Sequence, residues 1–219
     1  MSSHPYLNIA LADCLAHLRL SKPLADLRLR HPGTVVRLWE RNVAQLRAGI
    51  VDGEFDIGLC QSAHASEDIE VRALWQDPLV LACSEQHPLI DCRSISLARS
   101  VDCPWIELER DAYAGCCDQI DSLLRSRDFS PPHVIGAQTF DLMMAMVAAG
   151  YGVGLVPLSR VQRYRAFGVV WYEVEDRPLV MTTYLMHRRG KGSPALESFV
   201  ESLQSVSARS FDAVHGVRT

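Results

Sequence analysis

The chain has 219 residues, 48% of them hydrophobic, with 22 Lys and Arg against 26 Asp and Glu, a formal net charge of -4. This composition sustains folded cores and excludes a disordered chain, and the acidic balance gives no basic face for holding nucleic acid phosphates. No apolar run reaches the ~20 residues a membrane-spanning helix needs, and the first ten residues lack a basic-then-apolar leader pattern, so a cytoplasmic location is expected.

Leu7 to Leu11 reads as a first strand, followed by a helical stretch from Ala12-Asp13-Cys14 to about Arg30 that Pro23 should kink or restart. Leu15, Leu18, Leu24 and Leu27 form its apolar side, leaving Leu20 and Leu29 off the stripe as candidates for a partner surface. Val35 to Glu40 is a second strand. Asn42 caps a short helix through Val43, Leu46 and Ile50, Gly53 ends it, and Phe55 to Cys60 is a third strand. Strand and helix alternating in this way give a parallel α/β lobe.

After a polar loop from Gln61 to Asp68, Val71 to Trp75 and Leu79 to Cys83 read as two strands broken at Asp77-Pro78. Trp105 to Leu108 is a strand and Ala114 to Ser126 a helix carrying Ile120, Leu123 and Leu124. The run VIGAQTFDLMMAMVAAGYGVGLVP, from Val134 to Pro157, then forms a complete strand-helix-strand unit. Thr139 is placed to cap its helix, Asp141 suits the first turn, and Leu142 to Ala149 is apolar nearly all round, which predicts packing on both sides. Gly150 ends the helix in a left-handed conformation. In such a unit Gln138, Thr139 and Phe140 sit at the helix N-terminus, where ligands meet the carboxyl ends of parallel strands. A short helix near Ser159 to Tyr164, strands at Val169 to Tyr172 and Leu179 to His187, and a helix opened by Ser193-Pro194 complete the chain; the tail from Ala208 shows no periodicity and is expected to be loose.

Seven cysteines without any CxxC spacing argue against a disulfide framework, and eight scattered histidines argue against a metal site. No cofactor is called for. The chain has no GxSxG, no phosphate-binding glycine loop and no HExxH, and the glycines from Gly150 to Gly154 follow a helix instead of opening one, so no enzyme activity is expected.

The segments HPGTVVRLWE, GEFDIGL, PLVLACSEQHPL and MVAAGYGVGLVP, in that order, resemble the effector-binding domain of LysR-type transcriptional regulators from about Leu7 to Leu203. The resemblance implies an α/β fold of two Rossmann-like lobes joined by two crossover strands, like a type II periplasmic binding protein. Lobe I would comprise residues 1–79 and 181–219 and lobe II residues 80–180, with crossovers at Leu79–Ser84 and Met181–Arg188. It further implies a small-molecule effector in the cleft between lobes, pairing as homodimers and tetramers in the full-length form, and promoter DNA contacted only through an N-terminal winged helix-turn-helix that this chain lacks.

The residues matching the family's effector pocket are Ala12, Asp13, Cys14, Gln61 and Ser62 in lobe I, and Glu107, Tyr113, Gln138, Thr139 and Phe140 in lobe II. Thr139 serves equally as an ordinary cap. Asp13 near Glu107 and Glu109 would repel an anion and favour an amine or neutral effector; alternatively, Asp13 caps the first helix. Cys116 and Cys117 at a helix start, with Cys103, offer a second reading as a redox-sensing regulator, although no cysteine follows between Leu123 and Ser130. A free-standing small-molecule receptor of the same fold is a third.

Overall fold

A computed structural model of the chain describes residues 6–13, 18–88, 94–175, 178–190 and 192–215. The chain divides into two compact units, residues 1–76 with 182–219, and residues 77–181.

In the first unit, β1 (Tyr6–Leu11) leads to α1 (Ser21–Arg30), β2 (Val35–Glu40), α2 (Val43–Asp52), β3 (Ile57–Cys60) and the opening part of β4 (Ile69–Ser84). β1 lies between β2 and β3, parallel to both. α2 is fixed at both ends as its sequence dictates. Asn42 and Gln45 form a reciprocal capping box, and Gly53 closes the helix at φ +76°. Its buried residues Leu46 and Ile50 pack with Phe55, Cys60 and Met186 on one side of the sheet. On the other side Leu7, Ile9, Leu59 and Leu185 meet Leu20 and Leu27.

The second unit continues with β5 (Ser94–Ile95), β6 (Trp105–Leu108), α3 (Arg110–Arg125), β7 (Val134–Ala137), α4 (Phe140–Ala148), β8 (Gly154–Pro157), α5 (Leu158–Val161) and β9 (Val169–Val174). β6 pairs parallel with β7, and on its other side Trp105 bridges Val153 in parallel. β7, α4 and Val153 thus form a parallel crossover with β6 between its strands, and β8 then pairs antiparallel with β4. β9 is also antiparallel to β4. β10 (Val180–Arg188) carries the chain back to the first unit, antiparallel to β3, and α6 (Pro194–His215) packs on α1. Ser202 donates to Asp26 at 2.6 Å and His31 shares a hydrogen bond with Ser198 at 2.8 Å.

Several expectations are corrected. α1 begins only at Ser21, so the helix restarts around Pro23 and is not kinked by it: Pro23 stands in the first turn, where the N–H that proline lacks would have no intrahelical acceptor. Leu20 is 4% exposed, not a surface residue, since the 3₁₀ turn at Leu18–Leu20 folds it into the core; Leu29 is exposed. Leu15 lies outside the described residues. β4 runs unbroken through Asp77-Pro78. Proline's φ fits a strand, pairing with β8 starts only at Leu79, and the Asp77 carboxylate accepts from both the N–H and the hydroxyl of Ser159. α4 is not packed all round: Leu142 is half exposed, and Ala145 and Ala149 lie on the same open face. The tail beyond Ala208 continues α6 to His215, because the helix has no proline or glycine to stop it.

Candidate functional site

The candidate residues fall into two sets, one in each unit. In the first, β1 and β3 are neighbours, so their carboxyl ends are brought together by the parallel sheet. The Ala12 N–H donates to Leu59 O at 2.9 Å. Asp13 has a left-handed backbone, φ +54°, and its Oδ2 accepts the Gln61 N–H at 2.9 Å. Asp13, Gln61 and Ser62 are all buried. The N-cap of α1 is Leu20. The Ser62 hydroxyl shares a hydrogen bond with His64 Nδ1 at 2.9 Å, and the Arg47 guanidinium donates to the His64 carbonyl. Beneath this loop the Cys60 Sγ lies 3.7 Å from Met186 Sδ, and burial pushes its thiol up to about 12. Cys14 lies outside the described residues.

In the second unit, Glu107 stands half-buried one residue before the end of β6. Its carboxyl is held above the ordinary range by burial and by the neighbouring Asp121, partly offset by Arg110, which pairs with Asp118 and Asp121. Tyr113 interrupts α3 with φ -126° and ψ 38°, so the regular part of that helix starts at Ala114, and the Tyr113 ring packs against the core. Gln138 and Thr139 follow β7 and are exposed, and Thr139 Oγ1 accepts the Leu142 N–H at 3.2 Å. Phe140 differs from the expected crevice-lining residue. Its ring is 4% exposed, with the Arg160 guanidinium 3.9 Å above its centroid and the Tyr164 ring 5.8 Å away. The Tyr164 hydroxyl donates to Asp141, and burial followed by that carboxylate pushes its phenol up to about 12.

Arg160 and Tyr164 were not singled out from the sequence. Sequence spacing offers no signal for them, because they meet the start of α4 through tertiary packing about twenty residues downstream.

The described cysteines of the second unit are buried or partly buried. Cys116 and Cys117 are buried, with Cys117 Sγ directed at Leu108 O at 3.3 Å. Cys103 is raised by burial and by Asp102, and burial raises Cys83 to about 11. Among the described residues no group of three or more His, Cys, Asp or Glu is placed to hold a metal ion, and no helix is long and apolar enough to cross a membrane.

The model of the LysR substrate binding domain matches residues 2–208, nearly the whole chain. The chain belongs to that family. Among its relatives, the Hca operon transcriptional activator HcaR of Escherichia coli K12 is 27% identical over 194 residues, covering 86% of this chain and 65% of HcaR. The RuBisCO operon transcriptional regulator of Allochromatium vinosum is 27% identical over 205 residues, covering 93% and 67%. The chain spans less than two thirds of the length of several curated relatives it matches. The same fold occurs in the effector binding domain of BenM with its effector benzoate (TM-score 0.81, 19% identity, 98% of this chain and 95% of that one). It also occurs in the effector binding domain of QuiR in complex with shikimate (TM-score 0.82, 18% identity, 94% and 99%). These LysR effector-binding domains have the type II periplasmic-binding-protein-like fold.

Proposed function

We propose that this LysR-family chain is the ligand-sensing part of a transcriptional regulator and that the residues of both sets bind a small-molecule effector. The observation that carries this reading is the family match from residue 2 to 208, with Asp13, Gln61 and Ser62 gathered at neighbouring strand ends and Gln138 and Thr139 left open at the start of α4. A sensor needs a ligand with different affinity for its alternative states, and side chains on loop ends over a rigid sheet are suited to that. In this reading the protein catalyses no reaction, works in the cytoplasm, and reaches promoter DNA through a separate N-terminal domain. The burial of Cys116 and Cys117 and the raised thiol of Cys103 argue against the cysteine-based alternative.

Self-association belongs to the same proposal. The open face of α4, with Leu142 51% exposed and Ala145 and Ala149 beside it, and Tyr151 64% exposed just beyond, is the apolar surface assigned to pairing. The test of sensing is to incubate the purified chain with a bacterial metabolite extract, remove unbound material and identify retained small molecules by mass spectrometry. One compound retained in stoichiometric amount supports the reading; none retained from extracts of several growth conditions counts against it.

A further inference from the structure

Asp13 and Asp128 are the non-glycine residues with positive φ among those described. For most side chains this conformation is unfavourable, and Asp and Asn tolerate it better than most. At Asp13 the carboxylate reaches a peptide 48 positions away, the Gln61 N–H, at 2.9 Å. That N–H belongs to the first residue beyond β3, where the chain leaves the sheet yet stays buried. A buried donor without an acceptor is unfavourable, and a charged acceptor is the strongest kind of partner. The loop is held at successive positions: Gln61 by Asp13, Ser62 by His64, and His64 by Arg47.

We infer that Asp13 is a positioning residue. Its left-handed backbone and its carboxylate together set the turn at Gln61 and Ser62. This rests on the effector reading above for the importance of Gln61 and Ser62. Asn tolerates the same backbone and presents a carbonyl oxygen in the same place, Ala offers neither, and Gly relieves the backbone without supplying the acceptor.

The experiment is residue-resolved amide hydrogen exchange by NMR on the chain alone, comparing wild type with Asp13→Asn, Asp13→Ala and Asp13→Gly. The Gln61 amide should exchange at least tenfold faster in Asp13→Ala and Asp13→Gly, stay within about threefold of wild type in Asp13→Asn, and leave the Ile57 and Leu59 amides of β3 unchanged. Asp13→Gly keeps the test decisive if Asp13→Ala does not fold. Unchanged exchange at Gln61 in Asp13→Gly, or Asp13→Asn exchanging as fast as Asp13→Gly, would overturn the assignment. No small molecule is present, so this outcome is independent of the metabolite screen on which the effector reading stands.

Discussion

Replacing Gly152 by Ala strikes the seam that joins β6 to the strand after α4. A Cβ there would lie 2.4 Å from the Pro104 carbonyl oxygen and 3.0 Å from its carbon, so backbone, not a flexible side chain, must give way. The displaced carbonyl accepts the Val153 N–H at 2.9 Å, and the next rung, the Ile106 N–H to Val153 O, is 2.8 Å. Losing or stretching two such bonds costs about 0.5–1.5 kcal/mol each, and overpacking a tight site costs about 1–3 kcal/mol more, which gives roughly 2–6 kcal/mol in total. Gly150→Ala is the matched control. Its added Cβ meets open space, and only the φ of +80° opposes it, at about 1–2 kcal/mol. Urea unfolding followed by tryptophan fluorescence and circular dichroism measures both, with Trp105 itself buried at the seam. The reasoning fails if Gly152→Ala loses less than about 1 kcal/mol, or if Gly150→Ala is the more damaging of the two.

Asn42→Ala removes the acceptor half of a capping box and should lower stability by about 1 kcal/mol in the same urea assay. Glu107 is more easily protonated in the folded chain than in the unfolded one, so its ionisation opposes folding as pH rises above the ordinary carboxylate range of ~4.3. Glu107→Gln should therefore gain stability over wild type as pH rises through and beyond that range, and equal curves for the two proteins would contradict it. With the Cys60 thiol at about 12, about one molecule in ten thousand carries the thiolate at pH 8, so maleimide mass labelling of the folded chain should leave Cys60 unmodified while urea exposes it. Leu142→Asp on the open face of α4 should shift the sedimentation profile toward monomer without changing the circular dichroism spectrum.

Local signals made much of this fold readable. The Asn42 box, the αL glycines at 53 and 150 and the Thr139 cap act within one turn of chain, and each stands where its residues place it. The alternation of strands and helices in the first unit was legible for the same reason. What escaped the sequence depends on residues far apart. Pro78 reads as a strand breaker until Ser159, brought alongside from 82 positions away, meets Asp77. Leu20 reads as surface until its 3₁₀ turn rotates it inward. In the candidate site, Asp13 and Gln61 both read as strand-end residues, but their bond comes from the pairing of β1 with β3. Phe140 reads as a helix-start residue, and its burial under Arg160 and beside Tyr164 is a product of tertiary packing that no local pattern encodes.

The central claim is tested most directly by calorimetric titration of the chain with whichever metabolite the screen retains, beside Gln61→Ala and Thr139→Val. The account expects saturable binding of one molecule per chain, weakened at least tenfold by each substitution while the melting temperatures stay near that of wild type. Affinity left intact in both variants would contradict it.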